Sequence, residues 1–187
     1  MTTERTKATQ KGIVMVVALV MLVLITLLGL TSVRTLTIEE KMASNSYDRN
    51  IAFQSAETVL REAENIAGTQ ALPANGPNGG FPGTAMVCNA PNNGSCTNGL
   101  CSTPDPTCTP RWEDATFTGW QTATPAISAT LAGNAPQYII EYLGNTFPCD
   151  PSNASSTANC KRYRVTVRSE PGEGRASVTL QSIFATD

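Results

Sequence analysis

The sequence predicts an α+β protein: one long N-terminal helix, apolar then amphipathic, packed on a small antiparallel β-sheet with a disulfide-stapled loop region. Three observations predict it. An uncharged apolar run at residues 13–30 leads, with no proline, into polar sequence that keeps a helical period to about Ala67. Patterns typical of strands are concentrated in the last third. All six cysteines follow the apolar run.

The first twelve residues carry Arg5, Lys7 and Lys11 against Glu4 alone, and end at Gly12. Basic residues beside a first apolar segment favour keeping that end in the cytoplasm and the rest of the chain beyond the inner membrane. Residues 13–30 are apolar apart from Thr26 and the small Gly29, and as a helix rising about 1.5 Å per residue they span most of a bilayer's hydrocarbon. A cleaved secretory signal has an apolar core of roughly 7–15 residues and a small-residue site after it. This core is longer, and Gly29-Leu30-Thr31-Ser32-Val33-Arg34 makes a poor site. An uncleaved signal anchor is a competing reading of the same residues.

Residues 35–67 lack both proline and glycine, and Ile38, Met42, Ala52, Ala56, Val59, Ala63 and Ile66 form an apolar or small stripe at helical spacing. Glu57, Arg61, Glu62 and Glu64 lie mostly off it, and Gly68, followed by Leu72-Pro73, supplies a stop. A helix from 13 to 67 would be about 80 Å long. A small domain cannot bury that length, so lipid or other subunits must cover much of it. Residues 69–110 turn to Gly, Pro, Asn, Thr and Cys and read as an irregular stapled loop. Three strands follow. Residues 138–143 are aromatic and β-branched, residues 163–168 alternate Tyr163, Val165 and Val167 with Arg164, Thr166 and Arg168, and residues 176–184 form the third. Glu170-Pro171-Gly172-Glu173-Gly174 between the last two is a hairpin signal.

Composition narrows the function. A formal charge of −2 leaves no basic footprint for nucleic acid, and no direct nucleic-acid site is evident. Histidine is absent, which removes the commonest general base and metal ligand. Cys88, Cys96, Cys101, Cys108, Cys149 and Cys160 show no C-x-x-C spacing, so disulfides outcompete zinc, with fifteen connectivities open in principle. Flanking strands would bring Cys149 back to Cys160, leaving the other four to staple residues 88–108 internally. Asp105, Glu113, Asp114, Glu141 and Asp150 are scattered and suit a solvated surface. Asp150-Pro151-Ser152-Asn153 lacks a calcium-ligand spacing and reads as a turn; Trp112 and Trp120 suit packing better than a ligand platform. No cofactor or metal site and no catalytic constellation stands out.

Lys11-Gly12 before a long apolar helix resembles the class III signal of type IV pilins and type II secretion pseudopilins. Leu36-Thr37-Ile38-Glu39-Glu40-Lys41-Met42-Ala43-Ser44-Asn45 and Asp48-Arg49-Asn50-Ile51-Ala52-Phe53-Gln54-Ser55-Ala56-Glu57 resemble the PilX group of minor pilins. Strand 163–168 and Val178-Thr179-Leu180-Gln181-Ser182 resemble that group's closing strands. The resemblance covers about residues 10–68 and 137–184, and not the cysteine-rich middle.

The resemblance implies a type IV pilin-like fold. Its parts would be a cytoplasmic leader at 1–12, a transmembrane or filament-core half-helix at 13–34, an amphipathic half at 35–67 and a periplasmic head at 68–187. It implies cleavage between Gly12 and Ile13 by prepilin peptidase and N-methylation of Ile13. The product would be a non-enzymatic minor pilin that passes from the inner membrane into an extracellular pilus serving adhesion or twitching motility. Other minor pilins, the major pilin and a PilY-type tip adhesin are the implied partners. Most pilins carry glutamate at the fifth mature position, where it pairs with a neighbour's terminal amine; here that position is Val17. The departure suits a subunit at the tip, which has no predecessor to pair with. The alternatives are a minor pseudopilin of a type II secretion system and a membrane-anchored periplasmic binding domain or enzyme.

Overall fold

The computed structural model describes residues 12–70, 80–84, 86–88, 95–124, 134–149, 159–169 and 175–186, except for the side chains of 33–35. The leader before Gly12, Leu72-Pro73 and the turns expected at 150–153 and 170–174 lie outside these residues. The chain divides into two compact units, Met1–Ser46 and Tyr47–Asp187. One helix, α1 (Ile13–Gln70), contributes to both. It runs through Gly68, the expected stop. Ala67 is fully buried beneath the sheet, and Gly68 lies beside the Phe184 ring, so packing outweighs the roughly 1 kcal/mol that glycine costs in a helix.

The second unit contains a six-stranded sheet: β1 (Cys96–Thr97), β2 (Leu100–Cys101), β3 (Gln121–Thr122), β4 (Gln137–Pro148), β5 (Asn159–Arg168) and β6 (Thr179–Thr186). The order is β1-β2-β4-β5-β6, with β3 also on β4. The long meander β4-β5-β6 is antiparallel, as the alternating pattern predicts. The sheet as a whole is mixed, because β2 runs parallel to β4, pairing Leu100 with Ile140 and Cys101 with Glu141. The stretch expected to be wholly irregular therefore contains a small hairpin. Asn98 and Gly99 sit at φ 51° and 79°, the consecutive left-handed pair of a two-residue type I′ turn. Cys96 and Cys101 face each other across it and are joined by a disulfide. Cys88–Cys108 ties the segment before the hairpin to the loop after it, and Cys149–Cys160 closes the β4–β5 end.

One face of the sheet lies on α1. Register places Tyr138, Ile140 and Tyr142 of β4 beside Val167, Val165 and Tyr163 of β5, with Leu180 and Phe184 on β6. Against them lie Ala56, Val59, Ala63 and Ala67, all essentially inaccessible. Alanine at these positions lets the helix backbone approach the strands, and the large side chains come from the sheet. At the rim, Ser182 Oγ donates to Glu64 Oε1 (2.6 Å) and Arg175 Nη2 pairs with Asp48 Oδ1 (3.0 Å).

The opposite face is covered by the chain from Ser102 to Trp120, which packs Phe117 and Trp120 against Cys101 and Ile139. At its centre, Glu141 is completely buried, contrary to the solvated position expected for it. Arg111 Nη1, also fully buried, donates to Glu141 Oε1 (2.5 Å), and Arg164 Nε donates to Oε2 (2.7 Å). Arg111 also reaches Ser102 O (3.2 Å) and Ser95 Oγ (2.9 Å). The carboxylate is thus clamped from both sides, and the loop layer is fastened to the strands beneath it.

Three outcomes test this packing. Ala63→Leu should overpack the helix–sheet contact and lower unfolding free energy by about 1–3 kcal/mol in denaturant titration. Glu141→Ala leaves Arg111 buried and unpaired and should cost about 3–5 kcal/mol, whereas Arg111→Met combined with Glu141→Leu should cost clearly less than that single change. Burial pushes the Tyr163 hydroxyl up from 10.0 to about 12, with Tyr142 adding to the shift and Thr186 tempering it, although neither the Tyr163 nor the Thr186 hydroxyl makes a well-formed hydrogen bond. The unfolded chain therefore releases this proton first, and stability should fall as pH rises from about 10 to about 12. Tyr163→Phe should flatten that fall, measured by melts across the range, without lowering stability at neutral pH.

Candidate functional surfaces

Two surfaces stand out, one in each unit. In the first unit, Gly12 lies in a turn immediately before α1, and Ile13 is the first helical residue, so the junction singled out in the sequence falls at the helix N-terminus. The first helical turn carries no acidic residue, and the Val17 side chain is 54% exposed. Every large apolar side chain from Ile13 to Leu30 is exposed, and the helix contains a stretch long and apolar enough to cross a membrane. The few hydroxyls in or next to this stretch bond back to the preceding turn: Thr26 Oγ1 to Val23 O (2.8 Å), Thr31 Oγ1 to Leu28 O (2.9 Å) and Ser32 Oγ to Leu28 O (3.0 Å). Each thereby satisfies its donor within the helix, which suits a surface covered by lipid or by other apolar helices. Further along the unit Leu36, Ile38 and Met42 are also exposed.

In the second unit, the outer face of β5 and the layer over it form a ladder of cations on rings. Arg164 lies over the Trp112 ring (4.2 Å), Arg168 over Trp120 (4.2 Å) and Arg162 over Phe147 (4.9 Å). Both tryptophans therefore pack, and each holds an arginine in place. Arg168 also donates twice to Gln137 Oε1 (3.0 and 2.7 Å). The alternation of Arg164, Thr166 and Arg168 was legible in the sequence; their ring partners, thirty or more residues away, were not.

The carboxylates do not converge. Asp105 and Asp114 are half-buried and fold the same local turn: each Oδ1 accepts from the hydroxyl (2.7 Å) and amide (2.8 Å) of the threonine two residues on. Those bonds, the hydroxyl's first, hold both carboxyls below the ordinary aspartate range. Glu113 is exposed and Asp150 lies outside the described residues. Among the described residues no group of three His, Cys, Asp or Glu side chains is placed to hold a metal ion. Burial raises Tyr138, with nearby Glu62 adding to it, and raises Tyr142; both line the helix–sheet core rather than a cleft.

Sequence reasoning missed the clasp. Glu141 interrupts an otherwise apolar strand, Tyr138-Ile139-Ile140-Glu141-Tyr142-Leu143, and that interruption was the available signal. Nothing local marks Arg111 as its partner.

Comparison with known families accounts for both units. Residues 11–61 match the PilX N-terminal family, and residues 88–186 match the family described as type IV pilus assembly protein PilX C-term. No curated protein and no solved structure matches the chain. The two matches divide the chain between the exposed apolar helix and the clasped, disulfide-bonded head, and the second alone covers more than half of it. The chain belongs to the PilX family of type IV pilus minor pilins.

Proposed function

We propose that this chain is a non-enzymatic minor pilin that helps prime pilus assembly and occupies the filament tip. Prepilin peptidase would cut between Gly12 and Ile13, and Ile13 would then be N-methylated. One observation carries the reading: no acidic residue occurs between Ile13 and Ile38, and the fifth position after the cut is Val17.

Cleavage would leave a charged amine at the start of an apolar helix. An unpaired charge in such surroundings costs about 2.5–3.5 kcal/mol or more. A subunit bearing a carboxylate near its own terminus can neutralise the amine of a predecessor, and this chain has none to offer. Its own amine can still receive the carboxylate of the next subunit. That asymmetry suits the first subunit in a fibre. The exposed apolar surface from Ile13 to Leu30 would pass from the inner membrane to contact with other minor pilins and the major pilin, while the head would face outwards and could hold a PilY-type adhesin.

Three measurements test this. Protein recovered from membranes or pili should have an N-terminal mass corresponding to methylated Ile13; an intact Met1 leader in cells with active peptidase overturns the reading. Val17→Glu should reduce both surface pili and tip incorporation of this subunit, because the added carboxylate is buried without an amine to meet. Normal piliation with normal tip composition would sink the tip assignment. Deleting the gene should remove pili and leave type II secretion intact; the reverse result would favour a secretion pseudopilus.

A further inference from the structure

In the head, a cavity of about 180 Å³ opens between the loop at residues 104–110 and β5, lined by Met86, Pro104, Asp105, Pro110, Trp112 and Arg164 among others. It is smaller than the roughly 300–1,000 Å³ of pockets for drug-sized ligands, so it has room for a single ring or side chain.

Two of its groups are fixed in advance and left incompletely used. Arg164 is held by its Nε on Glu141 Oε2 (2.7 Å) and by its guanidinium face on Trp112, and its side chain remains 19% exposed. Among the described residues no acceptor meets its Nη1 or Nη2. Asp105 is fixed through Oδ1 by Thr107, through its amide on Met86 Sδ (3.4 Å) and through its carbonyl, which accepts from Cys108 N (3.1 Å). Its Oδ2 has no partner among the described residues. The Cys88–Cys108 disulfide anchors the same wall. The carboxyl of Asp105 is held below the ordinary aspartate range by Thr107, so it is ionised at neutral pH. No ion pair joins Asp105 to Arg164 in the described structure.

A ligand that satisfies both groups must present an anion to Arg164 and a hydrogen-bond donor to Asp105. A plain carboxylate meets the first demand and is repelled by the second; a neutral sugar meets only the second. The proline rings offer apolar surface against which the C–H face of a pyranose can pack. We propose that this cavity binds a single acidic sugar, of the uronic type, with its carboxylate on the free guanidinium donors of Arg164 and a hydroxyl donating to Asp105.

The test uses the full-length protein in detergent micelles, with the Trp112 indole N–H followed by NMR and the Trp120 signal as reference. Glucuronate should shift the Trp112 signal saturably, with a midpoint around 1 mM. Glucose and glutarate should each bind about tenfold more weakly. Arg164→Lys keeps the charge but loses the planar fork, and should weaken glucuronate about tenfold. Asp105→Asn, which keeps the Oδ1 acceptor that Thr107 uses, should weaken glucuronate and strengthen glutarate. No saturable shift with glucuronate overturns the proposal. So does an equal response to glutarate, glucose or the zwitterion proline, or glucuronate binding untouched by both substitutions.

Discussion

The head is organised around one buried charge. Glu141 sits at the centre of β4, inaccessible to water, and its two oxygens are taken by arginines from opposite directions, one in the covering loop and one in the neighbouring strand. A carboxylate buried there without partners would carry a desolvation cost that outweighs any packing gain. Paired on both sides, it becomes a device for holding layers together. Removal of either arginine would leave the buried carboxylate with half of its partners. Such a clasp contributes less to net stability than to uniqueness.

The sheet's two faces use different physics for this reason. Toward α1 the contact is apolar, with alanines on the helix and large rings and branched chains on the strands. Toward the loop layer it is polar and cationic, with three arginines flattened on aromatic rings and three disulfides fixing the strand ends and the loop. Much of the loop layer is proline, glycine and short polar residues, with too little apolar surface to hold itself down. Covalent and ionic fastening reinforces the small apolar cluster of Cys101, Phe117 and Ile139 there, an arrangement suited to an oxidising exterior.

The first unit follows a separate logic. Its described large apolar side chains are exposed, and the hydroxyls among and beside them are turned inward to helix carbonyls. Such a surface is complete only when lipid or like helices surround it, as expected for a member of a pilus family. Residues 13–38 place no carboxylate along that surface.

The sequence by itself determined the helix, the meander and the disulfide-bonded character of the chain, since these depend on periodicity and composition. Residues 163–168 alternate so regularly that strand, face and core side could be read directly. The helix end could not, because burial of Ala67 and the contact of Gly68 with Phe184 override a local stop signal. Nor could the small hairpin be assigned to its parallel place on β4, although Asn98-Gly99 between two cysteines carried its turn. Only the tertiary structure decided the fate of Glu141, Arg111 and the two tryptophans. Whether a charge is solvated or clasped depends on which distant residues the topology brings to it, and charge partners thirty residues apart leave no periodic trace in a single chain.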